Sequence, residues 1–248
     1  MSNATDRAGS DLAVLLVEDE PVNQRVIARI LKRNGYRVEI AGDGQHALEL
    51  LGHASYALII MDCEMPILNG YETAQAIRKR ETGSRRIPIV AVTAHELQDV
   101  REGILAAGMD ECVSKLELDK RLPEQLARWC PRASAEARTS SGVSGSSRSP
   151  ALDPALARSP ATVRVFLKHV GNQWHAIETA AHANDMEALR RAAHKLKGSC
   201  LAVGIPRLAS LCAELELNPT HAATLLEKLE RELARARAQL EGTGPRLF

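Results

Sequence analysis

The sequence predicts two folds in tandem: a doubly wound α/β domain on a five-stranded parallel sheet, then an all-α four-helix bundle. Three observations predict them. In the first half, short and wholly apolar runs alternate with stretches of helical period, the pattern of a parallel sheet covered on both faces. In the second half only helical periods occur, punctuated by capping and helix-breaking residues. Between the two lies a stretch rich in Ser, Arg, Ala and Gly with no apolar period.

The run at 11–17 (Asp-Leu-Ala-Val-Leu-Leu-Val) is the first buried strand, and Glu18-Asp19-Glu20 follows at its end. A helix is predicted over 21–34 and a second strand over 36–41. A helix over 45–51 leads to the third strand, 57–61, which ends at Asp62. After a helix over 71–80, the fourth strand, 87–92, ends at Thr93-Ala94. A helix over 96–107, a weaker fifth strand ending at Ser114-Lys115 and a helix over 120–129 complete the domain. In the second half, Ser159-Pro160 supplies an N-cap and a first-turn proline for a helix running to about residue 183. Asn184-Asp185 breaks that helix and caps the next, over 185–203. Pro206 starts a third, which Asn218-Pro219 cuts, and Thr220 caps a fourth whose leucines 225, 226, 229, 233 and 240 share one side. Four such helices form an antiparallel bundle.

In an open parallel sheet the binding crevice lies at the carboxyl ends of the strands. Glu18, Asp19, Asp62, Thr93 and Lys115 all fall at such ends. Three carboxylates brought together repel one another unless a cation sits among them. Hard oxygen ligands with room for water favour magnesium, which also takes phosphate oxygens as ligands. A metal-assisted phosphate site accounts for acids, hydroxyl and lysine at strand ends better than solvated loop acids do.

His194 is the most informative residue of the second half. The buried stripe of its helix runs through Met186, Leu189, Ala193, Leu196, Cys200 and Val203, and His194 lies off it, expected toward solvent. Gly198 sits one turn later on the same side, flanked by Arg190, Lys197 and Leu201. A glycine inside an exposed helix costs about 1 kcal/mol against alanine. An imidazole with a cleared approach and cations nearby suits a phosphate-carrying nucleophile.

Composition agrees with two domains built on aliphatic cores: 45% of residues are hydrophobic and only 3% aromatic. A net charge of +1 carries no polyelectrolyte signature, which disfavours nucleic acid as a partner. No apolar stretch approaches the ~20 residues of a membrane span, and no signal peptide is visible. The five cysteines lack metal-ligand or redox-motif spacing and read as reduced, packed thiols of a cytoplasmic protein. No glycine-rich nucleotide-binding pattern occurs, so direct use of ATP is not expected.

At this point the residues reach two families. Residues 11–130 resemble the receiver domain of bacterial two-component response regulators, which is flavodoxin-like. The matching stretches are Leu-Leu-Val-Glu18-Asp19-Glu-Pro-Val-Asn-Gln, Ile-Ile-Met-Asp62-Cys-Glu-Met-Pro66, Asn69-Gly70-Tyr-Glu, Val-Thr93-Ala94 and Ala107-Gly108-Met-Asp. The resemblance implies Asp62 as phosphoacceptor, with Glu18, Asp19, Asp62 and the backbone carbonyl of Glu64 holding Mg2+. It also implies that Thr93 senses the phosphoryl group, with Ala94 beside it, and that Lys115 pairs with it. Residues 152–241 resemble a histidine phosphotransfer (HPt) domain. His194, Lys197, Gly198 and Ser199 match its His-x-Leu-Lys-Gly-Ser pattern, and Leu208 to Glu216 also fits. Here the resemblance implies that His194 carries phosphate, supported by Lys197 and Gly198.

Two positions depart from the receiver pattern. Leu116 stands where the lysine is usually followed by a cis proline, and a non-proline cis bond costs roughly 2.5–4 kcal/mol. A different path is therefore expected for that loop. Cys112 stands where an aromatic ring usually reports phosphorylation, so weak coupling to that switch is expected.

The predicted organisation is a disordered N-terminus at 1–10, a receiver domain at 11–131, a flexible linker at 132–151, an HPt domain at 152–241 and a tail at 242–248. A tether of that composition spans roughly 23 Å, enough to let the two domains meet. The expected function is phosphorelay signal transduction, with phosphoryl groups carried on Asp62 and His194. The chain would be a phosphotransfer intermediate with magnesium-dependent receiver chemistry and no kinase domain of its own. Its partners would be a sensor histidine kinase, in the same or another polypeptide, and downstream receiver or HPt proteins, with no membrane insertion. The resemblance is to the C-terminal part of hybrid sensor kinases. The alternative is a phosphorylation-gated binding module whose helical domain docks partners without carrying phosphate.

Overall fold

A computed structural model describes residues 13–81, 86–95, 97–130 and 159–242. The chain divides into two compact units on either side of residue 152. The expected N-terminal disorder and linker lie outside the described residues, as does the tail expected at 242–248 except Gly242, which ends the last helix.

The first unit alternates strand and helix throughout: β1 (Ala13–Val17), α1 (Pro21–Arg33), β2 (Arg37–Ala41), α2 (Gly44–His53), β3 (Leu58–Asp62), α3 (Gly70–Arg80), β4 (Ile89–Thr93), α4 (Leu97–Ala106), β5 (Glu111–Ser114) and α5 (Leu118–Trp129). The sheet is parallel with order β2-β1-β3-β4-β5. Every residue of β1, β3 and β4 is buried, because helices cover both faces, whereas the edge strand β2 is mostly exposed. The chain leaves β1 for one edge and then returns to β3, so the topological switch lies between β1 and β3. Glu18 and Asp19 follow β1 and Asp62 ends β3, directly at that switch. Asp62 pairs in register with Val92, and Thr93 with Ser114, which brings Lys115 alongside.

Local chemistry sets the helix starts around this crevice. Pro21 occupies the first turn of α1, and the Asp43 carboxylate accepts from the His46 N–H at the start of α2. The Asn69-Gly70-Tyr-Glu72 motif is a capping box at α3: Asn69 Oδ1 accepts from the Glu72 N–H, and Glu72 Oε2 accepts from the Asn69 N–H. Gly70 is sterically required, since a Cβ there would lie 2.1 Å from the Asp62 carbonyl oxygen. The Ala107-Gly108-Met-Asp110 motif is structural: Gly108 takes φ +91°, and Asp110 accepts from the Ile89 N–H and binds Arg78 and Arg86.

The second unit contains α6 (Pro160–His182), α7 (Met186–Ala202), α8 (Pro206–Leu217), a 3-10 turn (Pro219–His221) and α9 (Ala222–Gly242). Ser159 and Asp185 cap α6 and α7 as expected, accepting from the backbone N–H groups of Thr162 and Ala188. Thr220 is not the cap of the last helix. It lies inside the 3-10 turn that Pro219 opens, and α9 begins two residues later. Phe166, Ile177, Leu189, Leu196, Cys200, Leu208, Cys212, Leu229 and Leu233 form the core, each buried side chain of leucine or phenylalanine size contributing roughly 1.5–3 kcal/mol.

Candidate functional site

Four elements converge on Asp62. Its carboxylate is 3% exposed, with Oδ2 2.7 Å from Lys115 Nζ. The same ammonium lies 3.0 Å from Glu18 Oε2 as an ion pair. Glu18 is fully buried, and its Oε1 accepts from Asn23 Nδ2 at 3.0 Å and from the Glu20 N–H at 3.2 Å. Burial raises the Glu18 carboxyl to about 8, the Asp62 charge adds to the rise, and Lys115 opposes it. Burial would strip the proton from Lys115, but the attraction of Asp62 and Glu18 outweighs it and holds the ammonium charged. Thr93 is buried at the end of β4, its hydroxyl oxygen accepting from the His95 N–H at 3.0 Å. Ala94 follows it, half-buried.

Carboxylate oxygens of Glu18, Asp19 and Asp62 lie within 4.8 Å of one another. Glu18 Oε2 has no aligned hydrogen-bond donor, and Asp62 Oδ1 accepts only a long 3.3 Å bond from the Glu64 N–H. One ammonium does not balance three carboxylates. The all-oxygen donor set and the under-satisfied oxygens fit a hard divalent cation such as magnesium. Glu64 stands on the turn after Asp62, its side chain 3.3 Å from His95 Nδ1.

The second cluster is built by α7 and α8. Glu216 Oε1 lies 2.8 Å from His194 Nδ1, while Oε2 accepts from Lys197 Nζ. A carboxylate against Nδ1 favours the tautomer with its proton there and the lone pair on Nε2. One turn of α7 therefore presents an imidazole and an ammonium bridged by a single acid from α8. Gly198 follows Lys197, and the buried Ser199 hydroxyl accepts from Gln173 Nε2 of α6 at 2.8 Å.

Residues 14–127 match the family model of the response regulator receiver domain, and residues 161–239 match that of the Hpt domain. The chain joins a receiver domain to an Hpt domain. The signal transduction histidine-protein kinase BarA of Shigella flexneri is 29% identical over 92% of this chain and 26% of its own length. The sensor histidine kinase GacS of Pseudomonas protegens is 26% identical over 91% of this chain and 27% of its own. The chain thus spans about a quarter of the length of these curated relatives. The solved receiver domain of the sensor histidine kinase PA1611 from Pseudomonas aeruginosa, with magnesium ion coordinated in the active site cleft, is 43% identical. That match covers 48% of this chain and 98% of that one, with a TM-score of 0.45. Magnesium binding in the active site is a family feature of receiver domains.

The α7 positions of His194 and Lys197 do not predict that one α8 carboxylate, Glu216, engages both. Leu201, which flanks Gly198, is half-buried, whereas Leu217 beside Glu216 is 76% exposed. In the receiver domain, the loop after Lys115 lacks the cis bond, as expected with Leu116 in place of proline, and Lys115 still reaches Asp62. No peptide among the described residues is cis, and the Leu116 N–H donates to Ser114 Oγ at 3.2 Å, a bond that proline could not make. Cys112 is buried with Arg101 Nη1 3.7 Å from its sulfur. The half-buried Tyr71 of α3 brings a ring close to Gly103 of α4. All five cysteines are free, buried thiols. Glu216 is the residue that sequence reasoning missed. The available signal was a carboxylate beside the buried stripe of α8, one turn past Cys212.

Proposed function

We propose that this chain is a two-station phosphorelay segment in which Asp62 and His194 each carry a phosphoryl group. A phosphohistidine on a sensor kinase, in the same or another polypeptide, presents its phosphorus to Asp62. A carboxylate oxygen attacks in line, the P–N bond breaks, and the bonding pair stays on the donor nitrogen, which leaves as neutral imidazole with its proton on the other ring nitrogen. The Lys115 ammonium offsets charge on the phosphoryl oxygens, while the Thr93 hydroxyl and the Ala94 backbone bind them from the adjoining strand end. Magnesium, held by Glu18, Asp19, Asp62 and the Glu64 carbonyl, supplies further positive charge when bound.

On the Hpt domain, Glu216 keeps the proton on Nδ1, and Nε2 attacks the acyl phosphate of Asp62 or of a separate receiver. The P–O bond then breaks and the carboxylate is restored. Lys197 supplies positive charge beside the histidine, and Gly198 keeps the approach clear. Downstream receiver or Hpt proteins in the cytoplasm take the phosphate on, and nucleic acid has no part.

What carries this reading is one chain holding two complementary acceptors: a cation-deficient carboxylate cleft on Asp62 and an imidazole fixed through Nδ1. The test is radiolabelling from a cognate kinase followed by acid and base treatment. Label stable to base and lost in acid, absent in His194→Gln, identifies phosphohistidine. Label confined to Asp62 would favour instead a phosphorylation-gated binding module.

A further inference from the structure

The run Glu18-Asp19-Glu-Pro-Val-Asn23-Gln24 ends in two residues that have no role in the cleft as described, Asn23 and Gln24, early in α1. Both side chains reach back to Glu18. Asn23 Nδ2 donates to Glu18 Oε1 at 3.0 Å, and Gln24 Nε2 donates to the Glu18 backbone carbonyl at 2.7 Å. The Glu20 N–H adds a second donor to the same Oε1 at 3.2 Å. Both uncharged donors therefore hold one oxygen of the carboxylate. The other, Oε2, is left to the Lys115 ammonium at 3.0 Å and to a cation. Stability does not account for Asn23. The residue is only 3% exposed, and its Oδ1 is buried with no donor among the described residues. A half-satisfied buried amide carries a penalty that a leucine of the same shape would not.

We propose that Asn23 is a positioning residue for the metal site: it pins Oε1 of Glu18, so that the carboxylate meets a divalent cation through Oε2 in one fixed orientation. This rests on the magnesium-dependent receiver reading above. A carboxylate free to turn about its last bond presents either oxygen, and a cation must order it on binding, which lowers affinity. Magnesium, with its near-ideal octahedral demand, is the ion least tolerant of such freedom. Lys115 cannot set the orientation by itself, because its ammonium is shared with Asp62 Oδ2 at 2.7 Å. Gln24 fixes where the Glu18 backbone sits, and Asn23 fixes which way its carboxylate faces.

The test separates metal affinity from chemistry and from folding. Full chains carrying His194→Gln, so that only the receiver reports, are titrated with magnesium chloride by isothermal calorimetry, with and without Asn23→Leu. We expect Asn23→Leu to weaken magnesium binding about tenfold, the usual worth of a hydrogen bond that orients a metal ligand. The metal-free denaturant midpoint should not fall below that of the parent. Labelling of Asp62 by phosphoramidate should need correspondingly more magnesium to reach half its maximal rate, and should recover the parent rate at saturation. Unchanged magnesium affinity would overturn the proposal. So would a rate that stays low in saturating magnesium, which would place Asn23 in the phosphoryl chemistry instead. Should Asn23→Leu fail to fold, Asn23→Ala carries the same affinity and rate expectations. A parent chain that binds no magnesium would defeat the metal reading itself, whatever Asn23 does.

Discussion

The two reactive clusters use the same ingredients in different proportions. The receiver cleft gathers Glu18, Asp19 and Asp62 around one ammonium, Lys115. The Hpt cluster sets one acid, Glu216, against one ammonium, Lys197, and one imidazole, His194. The first is short of positive charge and asks for a metal; the second is balanced without one. Their construction differs too. Loops after three strands and residues far apart in sequence build the receiver cleft, whereas two neighbouring helices suffice for the Hpt cluster. The difference teaches that crowded carboxylates call for a cation, whereas an acid shared between an ammonium and an imidazole has its charge answered locally.

The largest effect should come from Asp62→Asn. We expect labelling by a kinase or a small phosphodonor to drop to background, with the circular dichroism spectrum unchanged. Labelling at the normal rate on another aspartate would remove Asp62 from its role. Chelation tests the contrast directly. Excess EDTA should stop labelling of Asp62 yet leave preformed phosphohistidine on His194 intact, read by acid-labile label over the same interval. If both are lost together, the two clusters do not differ in metal need.

Glu216→Ala should slow transfer to and from His194 by about tenfold to a hundredfold, the worth of one hydrogen bond to a charged group. Glu216→Gln should recover much of the rate, because its amide oxygen still accepts from Nδ1–H. A rate that ignores both variants would reduce Glu216 to a structural partner of Lys197.

The smallest effect concerns stability. Glu18 is raised from 4.5 to about 8 by burial first and by Asp62 second. A group whose folded value lies above its unfolded value binds its proton more tightly in the folded state. The stability this confers is full below the ordinary carboxylate range and is lost as pH rises through about 8. The metal-free receiver domain should therefore weaken toward denaturant between about pH 5 and 8.5. Glu18→Gln should flatten that slope, and added magnesium should oppose the loss by binding the folded state. A metal-free domain that strengthens over this range would contradict the assignment.

The sequence made the architecture legible because the apolar runs are short, uninterrupted and end in reactive residues. Leu58 to Met61 are wholly buried as their pattern requires, and the capping residues Ser159 and Asp185 stand where their chemistry placed them. The acids and lysine of the cleft were legible for the same reason: strand ends converge whenever strands run parallel. What escaped was side-chain reach across elements. The apolar stripe of α7 says which face meets the core, but not that a carboxylate from α8 reaches the His194 ring. The left-handed backbone of Ile67, φ +71°, escaped because a β-branched residue is poorly suited to positive φ. Thr220 misled because a threonine after Asn-Pro fits a cap, while the proline also favours one tight turn before the helix begins.

The loop from Cys63 to Gly70 is closed at its base, the Gly70 N–H donating to the Cys63 carbonyl at 3.0 Å. The missing Cβ of Gly70 lets the two ends press together over the Asp62 backbone, and the capping box locks the far side onto α3. Such a clasp has a fixed circumference. Loops elsewhere on a domain absorb an inserted residue at little cost, but an extra residue here would open the base and shift the backbone carrying the acceptor carboxylate. Length is then as constrained in this segment as the glycine that closes it: the number of residues between Asp62 and α3 is not open to change.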